Sequence, residues 1–133
     1  MFERYSKEMK LVFKNFPLRN HKFAWPAAMA ALAANKQGKF WELHDQLYEN
    51  YNRLSDQKIK EIAQQVGLDM EKFDTDMKDP ELKAIVERDF QEGARIGVRG
   101  IPTIFVNGRQ LKNRSFQGFQ AAIEKELARE SKP

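Results

Sequence analysis

The chain has 133 residues, 41% of them hydrophobic and 32% charged, with 23 Lys and Arg against 19 Asp and Glu for a net charge of +4. That length fits one domain, no apolar run approaches the roughly 20 residues that span a bilayer, and charges interrupt the first ten residues where a signal peptide carries its apolar region. Cysteine is absent, so these residues supply no disulfide, no thiolate nucleophile and no cysteine metal ligand.

As written, the sequence is expected to stay in the cytoplasm. Its basic and acidic residues alternate along the helical segments, the pattern of a solvated mixed surface rather than a nucleic-acid stripe.

Residues 2–8 read as the end of a helix. "KLVFKNF", residues 10–16, alternates as a strand that buries Leu11 and Phe13, with Val12 open to either side, and Pro17 stops it. "KFAWPAAMAALAANKQG" predicts an Ala-rich helix from about Trp25, with Pro26 in its first turn. Phe40, Leu43, Leu47 and Tyr51 recur at spacings of three and four on the next helix. Ser55 is the expected N-cap of a helix carrying Ile59, Ile62, Ala63 and Val66 and closed by Gly67. Leu68, Met70, Phe73 and Met77 predict a short helix. Asp79-Pro80 then opens a longer one lined by Leu82, Ile85, Val86, Phe90 and Ala94.

"GVRGIPTIFVNGRQL", residues 97–111, predicts a β-hairpin: a β-branched and aromatic run, Asn107-Gly108 as a two-residue turn, and a second strand. Pro102 stands at the first strand position, where its missing N–H does no harm. From the residues alone, its peptide bond can be trans at a strand start or cis, since an X-Pro bond gives up only about 0.5–1 kcal/mol for the cis form. Ser115 caps a last helix with Phe116, Phe119, Ile123 and Leu127 inward, and the tail "ARESKP" is expected to fray.

A long helical block between one strand and a ββα unit, with these residues, resembles the DsbA-like branch of the thioredoxin superfamily, the thiol–disulfide oxidoreductases. "KLVFKNFPL" is similar to the family's second core strand, "HKFAWPAAMAALAANKQGKFWELHDQLYEN" to the start of its inserted helices, and "GVRGIPTIFVNGRQL" to its Gly-X-Pro-Thr loop. The resemblance implies a single thioredoxin-like α/β domain over residues 1–133, with an all-helical insertion at about 22–96 and the sheet and terminal helix drawn from 1–21 and 97–133. It implies a cis Pro102 and an Ile101 that offers its backbone to an extended peptide or unfolded protein. Arg99 and Gly100 shape the approach to that substrate-binding loop.

The family's Cys-X-X-Cys, at the start of its first helix, has no counterpart, and "MFERYSKE" resembles only that helix's last turns. The helix N-terminus is what stabilises such a thiolate, so the chain is expected to be redox-inactive, without a catalytic residue or cofactor. Ser6 falls too far along to stand in for the cysteine.

Two accounts stay open. One is an N-terminally truncated oxidoreductase, whose intact form is expected to be periplasmic or extracytoplasmic. The other is a non-catalytic peptide-binding or chaperone-like module. In the resembled sheet, a strand missing here lies between residues 10–16 and 103–106, which leaves two unpaired edges. A homodimer through exposed strands or segment exchange is the expected repair, with direct pairing of 10–16 onto 103–106 as the alternative.

Other constellations read as structure. His21 and His44 lack a metal-binding spacing, and Glu42, Asp45 and Glu49 fit a solvated helix face. Phe23, Trp25, Phe40 and Trp41 fit core packing before a peptide-binding surface. Gly97, Gly100 and Gly108 lead into strands, which excludes a phosphate loop. Arg95, Arg99, Arg109, Lys112 and Arg114 lack the interleaved aromatics of a nucleic-acid binder, and no membrane segment is expected.

Overall fold

Six helices and one short hairpin make up the regular structure of residues 3–130, the part of the chain that the computed structural model describes. Met1, Phe2 and residues 131–133, on which the first helical turn and the frayed tail partly fall, lie outside it.

The described residues divide into two units, 14–97 in one and 3–13 with 98–130 in the other. The first unit is built around α1, Ala24–Lys36. Its alanines leave little side-chain bulk on any face, and a helix that is apolar all round belongs in an interior. Met29, Ala30, Ala31, Ala33 and Ala34 are buried. Against α1 pack α2 (Phe40–Glu49), α3 (Asp56–Gln65), α4 (Met70–Asp76) and α5 (Pro80–Arg95). Leu43, Ile59, Ile62 and Val86 are its largest fully buried side chains.

Local chemistry sets the helix starts. Pro26 is the third residue of α1, where no intrahelical bond needs its N–H; the first such bond runs from the Ala27 N–H to the Phe23 carbonyl at 3.0 Å. Ser55 accepts from the Lys58 N–H at 3.0 Å, Asp69 from Lys72 at 3.2 Å and Asp79 from Glu81 at 2.9 Å.

At the junction of α4 and α5, the Lys36 ammonium reaches Asp79 at 2.8 Å and Asp76 at 3.5 Å. This hydrogen bond, followed by the one from the Glu81 N–H, holds the Asp79 carboxyl below the usual aspartate range, and the same contact raises Lys36. The buried Asp76 keeps one oxygen, Oδ2, without a partner among the described residues.

The strand expected at residues 10–16 does not form, and Leu11, Val12 and Phe13 are 58%, 60% and 44% exposed rather than buried. A strand exists only against a neighbour, and among the described residues the sheet holds β1 and β2 of the hairpin alone. The N–H of Asn15 goes instead to a carboxylate: Asp89 Oδ2 accepts from the Asn15 backbone at 3.1 Å and from its Nδ2 at 3.0 Å, all buried. Phe16 stacks on Phe90 with centroids 4.7 Å apart, so side chains of α5 fix residues 15–16.

Smaller corrections follow the same logic. Residues 3–8 are turns closed by the Tyr5 carbonyl, which accepts from Glu8 and Met9 at 3.0 and 2.9 Å. The helix expected to reach Tyr51 ends at Glu49, where the Asn50 amide donates to the Gln46 carbonyl at 2.8 Å, and Tyr51 is 76% exposed. Ala94 is exposed at the end of α5. Phe116, the first residue of α6 (Phe116–Glu130), faces water, whereas Ile123 is buried. α6 also continues through Ala128–Glu130, part of the tail expected to fray.

Candidate functional site

The second unit carries the loop singled out in the sequence. Its hairpin is short: β1 is Phe105–Val106 and β2 is Arg109–Gln110, paired antiparallel with Phe105 opposite Gln110 and Val106 opposite Arg109. Asn107 and Gly108 join them at φ 49° and 80°, the left-handed pair that a two-residue turn requires and that Gly108 adopts without strain. The Leu111 N–H extends the ladder by donating to the Ile104 carbonyl at 2.8 Å. α6 packs against β1.

Before the hairpin, the chain is held by side chains. Thr103 Oγ1 donates to the Gly100 carbonyl and Arg114 Nη1 to the Pro102 carbonyl, both at 2.6 Å. The Ile101–Pro102 peptide is cis. Ile101 is 58% exposed, Pro102 and Arg99 are also exposed, and Gly100 is half-buried. Among the described residues no hydrogen bond engages the N–H or C=O of Ile101. The site therefore presents an unpaired backbone position with an exposed apolar side chain, in a bend clamped at Gly100 and Pro102. Arg114 had no assigned part in this loop; its reach across twelve residues leaves no periodic signal in the sequence.

In the same unit the buried Tyr5 meets polar side chains of α6. The Tyr5 hydroxyl donates to Glu124 Oε1 at 2.9 Å, and Gln120 Nε2 donates to the same oxygen at 3.1 Å. Burial, then the Glu124 hydrogen bond, raises the Tyr5 pKa; the bonds from Gln120 and Tyr5 lower that of Glu124. Arg109 and Arg129 share Glu126, each at 3.4 Å. At the start of α6, Ser115 Oγ accepts from the Gly118 N–H at 3.1 Å, and Asn113 Oδ1 accepts from the Ser115 N–H at 3.0 Å.

The remaining candidates lie elsewhere. His21 sits in a turn, its N–H on the Leu18 carbonyl at 3.1 Å. His44 lies along α2 in a row of rings, 5.7 Å from Phe40, 5.3 Å from Trp41 and 5.3 Å from Tyr48. Trp25 and Phe40 pack against the core of their unit, while Trp41 is 46% exposed. Glu42, Asp45 and Glu49 are exposed. Among the described residues no group of three His, Asp or Glu is placed to hold a metal ion.

A helical block attached to a ββα unit with a proline at the hairpin entrance defines a thioredoxin-like protein. The chain belongs to the thioredoxin family, in its DsbA-like branch: the family model matches residues 1–125. A thioredoxin-like oxidoreductase from Silicibacter pomeroyi DSS-3 superposes with a TM-score of 0.75 at 28% identity, covering 92% of this chain and 69% of that one. The probable disulfide bond formation protein D of Bacillus anthracis is 29% identical over 128 residues, 90% of this chain and 58% of the relative. The Na(+)/H(+) antiporter NhaA 3 of Salinispora tropica is 34% identical over 103 residues, 77% of this chain. This chain matches only 16% of that antiporter's length, and among its own described residues no helix is long and apolar enough to cross a membrane.

Proposed function

We propose that this chain is the polypeptide-binding part of a DsbA-like thiol–disulfide oxidoreductase, which docks an extended or unfolded segment on Ile101 and performs no redox chemistry of its own. The observation that carries the reading is the exposed Ile101 with both backbone groups unengaged, on a loop fixed by Thr103 and Arg114. Unpaired donors and acceptors on extended backbone are what β-augmentation uses: the ligand strand supplies main-chain partners, and pockets for alternate side chains give specificity. Arg99 and Gly100 flank the docking strand, and Pro102 ends it.

Exchange chemistry needs an attacking thiolate, and a chain without cysteine forms no mixed disulfide. Insulin reduction by the purified chain is accordingly expected to match the no-protein control.

A second form of the same reading is a non-catalytic peptide-binding or chaperone-like module, supported by the absence of cysteine from the chain. In both forms the thioredoxin-like domain spans residues 1–133, with the helical block as its insertion. Both forms also take a homodimer, through exposed strands or segment exchange, with Leu11 and Val12 among the exposed apolar side chains. Sedimentation showing a monomer at tens of micromolar would remove the dimer.

Calorimetry tests the docking itself, using an extended apolar peptide and its analogue N-methylated at alternate amides. Binding lost on methylation supports main-chain pairing. Equal binding of the two peptides overturns it.

A further inference from the structure

We infer that the Ile101 docking strand selects acidic polypeptide segments, with carboxylates flanking an apolar centre. The inference rests on the docking role proposed above and adds its charge specificity.

Residues 98–123 contain Arg99, Arg109, Lys112 and Arg114 and no Asp or Glu, in a chain where 19 of 133 residues are acidic. The charges are poorly compensated in space as well. Arg109 shares the single carboxylate of Glu126 with Arg129. Arg114 spends its hydrogen bond on a neutral acceptor, the Pro102 carbonyl, which places a full positive charge beside the docking strand. Arg99 stands two residues before Ile101, within about 7 Å along the backbone. Phe105 opposite Gln110, with Leu111 bonded to Ile104, sets Lys112 across from Thr103 in the same register. Among the described residues, Arg99, Lys112 and Arg114 have no carboxylate partner.

Three cations thus lie on the segments around Ile101 and the start of the hairpin, where Ile101 and Phe105 are exposed apolar side chains. An added strand with apolar residues facing these two and carboxylates at its ends satisfies the backbone and the charges together. A nucleic acid satisfies the charges only, since phosphodiester backbone makes no strand ladder with Ile101.

The test is fluorescence anisotropy with three labelled peptides of one length and one apolar centre, flanked by Glu, Gln or Lys, and a single-stranded oligonucleotide as competitor. Each exposed ion pair contributes a factor of about two to five, so the Glu-flanked peptide is expected to bind about tenfold or more tighter than the Lys-flanked one at low salt. The preference should shrink towards one at about 0.5 M salt, where charges are screened within a few Å. It should also collapse in Arg99→Gln/Lys112→Gln, with circular dichroism verifying that the variant is folded.

Equal affinity for all three peptides, with binding still lost on N-methylation, overturns the charge preference and leaves the docking role standing. An oligonucleotide that binds as tightly as the acidic peptide and displaces it assigns the cations to nucleic acid and overturns the inference. Absence of binding by every peptide overturns the docking role and the charge preference together.

Discussion

The Arg114 guanidinium donates to the Pro102 carbonyl at 2.6 Å, tying the segment before α6 to the residue where the hairpin begins. Such an exposed bond is worth about 1 kcal/mol net at most. Arg114→Met is therefore expected to loosen the loop locally. The Leu111 amide, protected by the Ile104 carbonyl, should exchange about fivefold faster. Amides of Ile62 and Val86, in the other unit, should exchange at their original rates. Hydrogen exchange resolved by residue checks both.

Gly118 lies in the first turn of α6, and a Cβ there would run into the backbone carbonyl and side chain of Asn113. Replacing an exposed helical glycine by alanine ordinarily stabilises a helix by about 0.5–1 kcal/mol. Here the sign is expected to reverse, with Gly118→Ala costing about 1–3 kcal/mol as the 113–115 cap is pushed aside. Thermal melts followed by circular dichroism give the answer, and a gain in stability would contradict the close approach.

Asp89 is buried, 6% exposed, and receives both N–H groups of Asn15. Asp89→Ala would leave two buried donors unpaired, and the expected loss is about 2–4 kcal/mol. Lys14 is 4.0 Å from the same carboxylate, with its side chain 56% exposed, and Lys14→Ala should cost less than about 0.5 kcal/mol. Urea denaturation of the two variants separates these contributions.

Lys36 and Asp79 give the helical unit a defined response to acid. Because the Asp79 carboxyl is depressed in the folded chain, its contribution is fully present above the ordinary aspartate value of about 4 and is lost as pH falls through the lower folded value. Lys36 is raised, so its share persists through neutral pH and disappears only as the medium becomes more alkaline than the ordinary lysine range. Lys36→Met should flatten the fall in urea midpoint between pH 5 and pH 2. An unchanged acid limb in the variant would show that other carboxylates set it.

The helical unit was legible because its signals are local. Ser55 and Asp79-Pro80 are capping chemistry within three residues of the helix they start, and the spacing of Ile59, Ile62 and Ala63 is the buried face itself. Asn107-Gly108 likewise encodes its own turn. Residues 10–16 were misread because alternation describes a strand's faces and says nothing of its neighbour; the decisive partner of Asn15 is Asp89, 74 positions away. Tyr51 kept the helical spacing after the helix had ended, since Asn50 turns its amide back on the Gln46 carbonyl. In the candidate site, the exposed Ile101 and its proline were visible as a motif. The Arg114 clamp was not, because the reach of a long side chain to a carbonyl twelve residues back has no pattern in sequence.

The most direct test of the account is an amide-resolved NMR titration of the chain with an extended apolar peptide carrying acidic flanks. Binding at Ile101 predicts that the signals of Arg99, Ile101 and Thr103 move first and furthest, and that the Ile101 N–H, without a hydrogen-bond partner among the described residues of the free chain, becomes protected from exchange at saturation. Shifts confined to residues 24–95, with the Ile101 amide still exchanging freely, would contradict the account and move the polypeptide-binding surface to the helical unit.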